Sequence, residues 1–149
     1  VNLSALATRI LEELTVSDTQ RQVQWTVEPD LLAQADPALI EALMQNLLNN
    51  AWKYTASTHD AHIRVFSREV DGAREFCVGD NGAGFDMARA DKLFQPFQRM
   101  HQPHEFAGLG IGLATSRRIV QRHGGQLRAS SAPGQGATFS FTLPDAGTN

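Results

Sequence analysis

The sequence predicts an α/β fold in which helices pack on one face of a single mixed, mostly antiparallel sheet. Helical and strand patterns follow the order helix, strand, helix, two strands, helix, loop, helix, two strands. A short glycine-containing turn joins each pair of strands, at Asp71-Gly72 and at residues 133–136, so we expect two antiparallel hairpins. Such hairpins argue against a doubly wound parallel sheet, and 149 residues suffice for one hydrophobic core.

Composition argues against several classes of protein. The net charge of -3 provides no basic surface for nucleic acid or an anionic membrane. No apolar run approaches the ~20 residues of a membrane span, so we expect no direct membrane contact. The single cysteine, Cys77, excludes an internal disulfide framework and is typical of a reducing compartment such as the cytoplasm. Because the chain begins with Val1 and shows no signal peptide, we expect a fragment of a longer protein.

Two helices separated by a strand are predicted in the N-terminal part. Apolar residues at helical spacing predict a helix over residues 4–16, with Ser4 as its N-cap. Alternating apolar residues over 23–27 predict a strand. The pair Asp36-Pro37 combines a capping residue with proline at the first helical position, so a second helix is expected from Pro37 to about Tyr54.

The remaining elements surround a long segment without clear periodicity. Strands are predicted near residues 63–66 and 75–78, and a helix near 87–94. Residues 95–108 predict a loop that acts as a lid or is disordered. A helix then runs to about His123 and ends at Gly124-Gly125. The last hairpin starts at Leu127, and the chain after Pro144 is a polar tail, so we divide the chain into a domain over 1–144 and a tail over 145–149.

The helix that contains residues 43–55 has two distinct faces. One face carries apolar residues at helical spacing, whereas the other gathers Asn46, Asn50, Lys53 and Tyr54. Asparagine competes for backbone hydrogen bonds, so a helix interior has little reason to contain three. Amide oxygens beside a lysine and a tyrosine suit a hard cation, phosphates and a flat ring. The alternative is a core helix whose polar face is simply solvated.

Three glycine-rich turns lie at the ends of predicted elements. Gly82 and Gly84 permit positive φ and close approach of a ligand, and Asp80 can accept from an exocyclic amine such as that of adenine. Taken alone, this turn is better explained as a tight turn with a capping Asp. Gly108, Gly110 and Gly112 open a helix whose free amides can bind an anion, although they match neither the dinucleotide fingerprint nor a Walker loop. Residues 134–139, taken alone, are a hairpin turn.

The histidines do not form a metal site in this interpretation. The pairs at 59 and 62 and at 101 and 104 lack a third ligand at zinc spacing, so we interpret them as surface residues. His123 falls in the last turn of a helix, where a cation is favoured. Cys77 alternates within a strand and is expected to be a small core residue.

Five segments together resemble the conserved boxes of sensor histidine kinases. Asn46–Tyr54 resembles the N box, Asp80–Gly84 the G1 box, Phe94–Phe97 the F box, Gly108–Leu113 the G2 box and Gly134–Phe139 the final glycine box. The resemblance spans Val1–Pro144 in the family's order and spacing, and Phe94–Gly125 looks closest to phytochrome-like and hybrid sensor kinases.

The resemblance implies a Bergerat-type two-layer α/β sandwich that binds ATP and Mg²⁺ between the N-box helix and a flexible lid. Asn50 would ligate Mg²⁺, Asn46 would support the phosphates or the metal, and Lys53 would contact phosphate. Tyr54 would border the adenine or its sugar, and Asp80 would accept the adenine amine. The other residues implied in nucleotide binding are Gly82, Gly84, Gly108, Gly110, Gly112, Leu113 and Thr138.

Two positions depart from related patterns. Ala137 stands where many family members carry Ser or Thr, and in a strand Thr138 points to the other face, so a hydroxyl near the adenine is in doubt. Related gyrase-type ATP hydrolases carry a basic Glu four residues before the metal-binding Asn, but here that residue is Asn46, so hydrolysis should be slow.

The resemblance also implies partners. No histidine is followed by the acidic residue, basic residue and proline of a phosphoacceptor helix, so the γ-phosphoryl would pass to a histidine on a separate phosphoacceptor domain. A response regulator or receiver domain would follow, and the parent kinase is expected to be a homodimer. The alternatives are a nucleotide-binding interaction module without transfer and an ATP hydrolase of the wider superfamily.

Overall fold

The computed structural model describes residues 1–84 and 109–143, with only the backbone described for 109–112. The described elements are α1 (Leu3–Ser17), β1 (Gln24–Val27), α2 (Pro37–Tyr54), β2 (His62–Val70), β3 (Ala73–Asp80), α3 (Leu109–Arg122), β4 (Leu127–Ser131) and β5 (Ala137–Thr142). The predicted helix at 87–94, the predicted lid at 95–108 and the chain from Pro144 onward lie outside the described residues.

The strands form one mixed sheet in the order β1-β2-β3-β5-β4. Only β1 and β2 pair in parallel, and the other neighbours are antiparallel, as the two predicted hairpins require. Asp71 and Gly72 have φ of 53° and 79°, the positive values that a tight two-residue hairpin turn needs. The predicted fold class is therefore confirmed for the described chain.

The two faces of the sheet have different roles. Val65, Val78 and Phe139 are aligned across three neighbouring strands and belong to the core cluster that includes residues of all three described helices. The opposite face, which we call the outer face, carries the polar neighbours of these residues, including Arg64 and Thr138.

The first helix begins slightly earlier than its pattern predicts. Asn2, not Ser4, is the N-cap of α1, and its side chain accepts from the amide of Ala5 at 3.0 Å. The Ser4 hydroxyl instead donates to the carbonyl of Glu28 at 2.6 Å and accepts from the amide of Leu31 at 2.9 Å. Ser4 was the wrong cap because its hydroxyl connects α1 to the segment after β1.

The end of α3 contacts the beginning of α2. The helix ends as predicted at Gly124, which has φ of 79°, and Gly125, whose amide donates to the carbonyl of Val120 at 3.0 Å. The Nε2 atom of His123 accepts from the amide of Asp36 at 3.1 Å, so its Nδ1 carries the proton and donates to the carbonyl of Ile119 at 2.8 Å. His123 therefore links the end of α3 to the beginning of α2.

Candidate functional site

Part of the polar face of α2 is shielded from bulk solvent. Asn50 is only 5% exposed, and its Nδ2 has no hydrogen-bond acceptor among the described residues. The Nδ2 of Asn46 donates to the hydroxyl of Ser116 at 3.3 Å, and Ser116 is fully buried on α3. A buried amide without an acceptor costs stability unless it serves another partner, so Asn50 is the residue on this face that most suits a ligand.

The last turn of α2 presents one exposed and one buried side chain. Lys53 is exposed, whereas Tyr54 is buried. Burial, followed by the nearby carboxylate of Asp80, raises the pKa of the Tyr54 hydroxyl far above its usual value. Tyr54 therefore remains a neutral phenol beside Asp80 at ordinary pH, and the exposed Lys53 is its neighbour in sequence.

Asp80 is the last residue of β3 and faces the helices. It is aligned with Ile63 and Ala137, which are both buried in the core. Burial raises the pKa of the Asp80 carboxyl to about 6, although the amides of Gly82 and Ala137 act in the opposite direction. The Gly82 amide donates to Oδ1 at 2.8 Å, which leaves other lone pairs of the carboxyl for a ligand's amine.

A cavity of about 350 Å³ opens beside Asp80 at the turn between β4 and β5. Its lining includes Gly136 and Ala137, and Ala137 has no hydroxyl to offer there. The Thr138 side chain lies on the outer face, where its Oγ1 would be 3.3 Å from a Cβ added to Gly79. Thr138 nevertheless lines this cavity together with Asp80, so its role in nucleotide binding stays a prediction.

The glycines of the turn after β3 accommodate other parts of the chain. A Cβ on Gly82 would lie 2.4 Å from the carbonyl oxygen of Tyr54, and one on Gly84 would lie 2.2 Å from that of Ala132. Of these two glycines, only Gly84 has a positive φ, at 69°. The direction that a Cβ would take from each glycine is therefore occupied by the end of α2 or by the last hairpin, and the role of these glycines in nucleotide binding stays a prediction.

The glycines that open α3 are only partly described. Gly110 and Gly112 lie in the first turn of the helix, where backbone amides lack intrahelical acceptors, and Gly108 lies outside the described residues. Leu113 is fully buried in the core cluster, and its role in nucleotide binding stays a prediction.

Sequence reasoning missed Ser116. The hydroxyl follows Leu113 at a spacing of one helical turn and precedes Ile119 by another, so it lies within an apolar stripe. A polar residue inside such a stripe is the signal that could have identified it. Its bond to Asn46 connects α3 to the asparagine face of α2.

The fold and the site define the class of Bergerat-type α/β sandwiches: a mixed sheet, an asparagine-bearing helix and a buried carboxyl at a strand end. The chain belongs to the histidine kinase-, DNA gyrase B- and HSP90-like ATPase family, whose model matches residues 35–147.

Comparison with individual proteins gives the same result. The chain is 34% identical over 151 residues to the circadian input-output histidine kinase CikA of Synechococcus elongatus, covering 97% of this chain and 20% of that protein. It is 36% identical over 110 residues to the phytochrome-like protein Cph1 of Synechocystis, covering 74% of this chain and 15% of that protein. The structure of the mycobacterial sensor histidine kinase MprB superposes with a TM-score of 0.78 at 25% identity, covering 97% of this chain and 96% of that one. The predicted resemblance to histidine kinase catalytic domains is confirmed.

Among the described residues, no helix is both long and apolar enough to cross a membrane.

Proposed function

We propose that this chain binds ATP with Mg²⁺ and donates the γ-phosphoryl group to a histidine on a separate phosphoacceptor domain of a sensor kinase. The observation that carries the proposal is the poorly solvated carboxyl of Asp80, which lies beside Tyr54 at the end of the asparagine-bearing helix. A buried carboxyl with unused lone pairs suits the exocyclic amine of adenine, and a purine without that amine would leave those lone pairs unpaired.

The residues of α2 suit a magnesium ion. The nearly buried Asn50 amide has no acceptor for its nitrogen among the described residues, so the fold leaves this side chain for a ligand. Its oxygen would hold Mg²⁺, and Asn46, oriented by Ser116, would support the phosphates or the metal. When bound, the ion neutralises charge on the transferring phosphoryl group. The exposed Lys53 and the amides of Gly110 and Gly112 would contact phosphate oxygens.

Transfer to histidine fits the site better than transfer to water. A hydrolase needs a base that takes a proton from water, and the neutral amide of Asn46 cannot do so. We therefore place the acceptor on another domain, from which a response regulator or receiver domain would take the phosphoryl group. A homodimeric parent kinase in the cytoplasm completes the proposal.

Titration with nucleotides tests the binding part of the proposal. We expect the wild-type chain to bind ATP roughly tenfold or more tightly than GTP, because the six-position of guanine carries an oxygen that cannot donate to Asp80. Asn50→Ala should weaken ATP binding more in the presence of Mg²⁺ than in its absence.

Asn49→Ala is the matched control, because Asn49 lies on the same helix and accepts from Gln45 at 3.0 Å. It should leave both affinities unchanged. Equal affinities for ATP and GTP would refute the adenine assignment, and an equal loss in Asn50→Ala with and without metal would make Asn50 a structural residue.

A further inference from the structure

The C-terminal end of α2 is buried and needs hydrogen-bond donors from elsewhere. Trp52 is 7% exposed and Thr55 only 1% exposed, so water cannot satisfy all the carbonyls of the last turn. Thr55 serves the Ala51 carbonyl through its amide at 3.2 Å and its hydroxyl at 2.9 Å. The Tyr54 carbonyl accepts from the amide of Ala83 at 3.0 Å.

Arg21, in the segment between α1 and β1, supplies hydrogen-bond donors to this last turn of α2. Its Nη1 donates to the Trp52 carbonyl at 2.5 Å, and its Nη2 donates to the Thr55 hydroxyl at 2.8 Å. Its guanidinium carbon lies 5.0 Å from the centroid of the Trp52 ring. Asp18 accepts from the Trp52 indole nitrogen at 3.1 Å and, through its carbonyl, from the Arg21 amide at 3.2 Å. The guanidinium thus makes two hydrogen bonds to the C-terminal end of the helix, where the helix dipole also stabilises a cation.

The turn that Arg21 contacts carries two parts of the proposed site. Lys53 is next to Trp52, whose carbonyl accepts from Arg21. Tyr54 holds the Ala83 amide through its own carbonyl, and Ala83 belongs to the turn that follows Asp80. A shift of this helix end would therefore move the phosphate-binding lysine and the carboxyl that we assign to adenine at the same time.

We propose that Arg21 is a positioning residue for the nucleotide site, acting through the backbone of residues 52–55; this rests on the function proposed above. The side-chain contacts given above for Arg21 are with Trp52 and Thr55, neither of which is assigned to the ligand site. Its guanidinium fixes the helix end in one place, so that Lys53 and Asp80 are held at a constant separation before the nucleotide arrives. Small displacements of such groups reduce affinity and rate strongly, because productive geometry must then be recovered on binding.

The test compares Arg21→Ala, Arg21→Lys and Arg9→Ala. Arg9 is the matched control because it also joins an N-terminal segment to α2, through Glu41 at 2.6 Å, and its removal changes the net charge equally. Affinity for ATP with Mg²⁺ is measured at a temperature where circular dichroism shows every variant to be folded. We expect Arg21→Ala to weaken binding about tenfold, Arg21→Lys to lie between it and the wild type, and Arg9→Ala to match the wild type.

Hydrogen exchange in the nucleotide-free proteins separates positioning from general destabilisation. Exchange of the Ala83 amide, which reports its bond to Tyr54, should accelerate in Arg21→Ala but not in Arg9→Ala. Wild-type affinity in folded Arg21→Ala, or full rescue by Arg21→Lys, would overturn the inference. Either result would show that the paired hydrogen bonds of the Arg21 guanidinium are not needed. If the wild type bound no nucleotide, the proposed function would fail and the inference with it. Binding by the wild type and equally by Arg21→Ala would refute the inference alone.

Discussion

Asp80 is a carboxyl group that the fold holds under unfavourable solvation. Burial raises its pKa from the usual 3.8 to about 6, so the folded chain binds this proton more tightly than the unfolded chain does. Below about pH 4 the group is protonated in both states, and its unfavourable contribution is absent. That contribution grows as the pH rises from 4 to 6 and is complete above 6. The difference of about 2 between the folded and unfolded pKa then lowers the free energy of unfolding by about 3 kcal/mol.

Asp80→Asn should therefore stabilise the chain and impair nucleotide binding in the same variant. The amide oxygen of Asn can still accept from Gly82, while the buried charge is lost. In urea denaturation we expect a gain of about 2–3 kcal/mol at pH 7.5, as an upper limit, and little gain at pH 4. ATP affinity should fall strongly at pH 7.5. Asp80 would then be a residue that serves function at the expense of stability.

Asp60→Asn is the control, because its side chain is 88% exposed. It should alter neither stability nor binding. A loss of stability in Asp80→Asn at pH 7.5 would show that the carboxylate has a structural role, and unchanged ATP affinity would remove it from the site.

The helices are related by contacts that lie far apart in sequence. His123 and Asp36 are 87 residues apart, yet their hydrogen bond connects the end of α3 to the N-cap of α2. Ser116 and Asn46 make a second connection between the same helices. Together these contacts fix α3, whose first turn we propose as the phosphate site, against the helix that carries the asparagines.

His123→Ala should lower the free energy of unfolding by about 1 kcal/mol, because it removes one acceptor and one donor at the helix ends. Nucleotide affinity should change little, since the Ser116 contact lies between His123 and the proposed site. Thermal and urea unfolding provide the measurement. His59→Ala is the control, because the His59 side chain is 97% exposed. Equal effects of the two substitutions would show that the hydrogen bonds of His123 contribute nothing to stability.

Local signals were sufficient for several elements and insufficient for their contacts. The bounds of α2 follow from Asp36-Pro37 and helical periodicity, and the hairpin turn follows from Asp71-Gly72. Ser4 was misinterpreted as a cap, and the contact of His123 with Asp36 was not predicted, because the partners of both residues are distant in sequence. A sequence also does not reveal that another part of the chain occupies the space where a Cβ would lie at Gly82 and Gly84.

At the scale of the whole molecule, the described histidines are poorly placed to accept a phosphoryl group. His59 precedes β2 on an exposed turn, and the ring of His62 lines a cavity on the outer face with Arg64 and Phe66. His123 uses both ring nitrogens in contacts with α2 and α3. Phosphoryl transfer needs an acceptor nitrogen in line with the γ-phosphate, and the placement of these three histidines supports the proposal that the acceptor lies on a second domain.

Incubated alone with labelled ATP and Mg²⁺, the chain should therefore gain no acid-labile phosphate and should release phosphate very slowly. With the phosphoacceptor domain of its parent kinase in trans, it should label that domain's histidine, and Asn50→Ala should abolish labelling while Asn49→Ala preserves it. Acid treatment distinguishes phosphohistidine, which is labile, from phosphoserine or phosphothreonine. Rapid release of phosphate by the isolated chain would favour a hydrolase, in spite of Asn46. Tight ATP binding without transfer to the supplied domain would favour a nucleotide-binding interaction module, because the site would then hold its ligand without presenting the γ-phosphate to an acceptor.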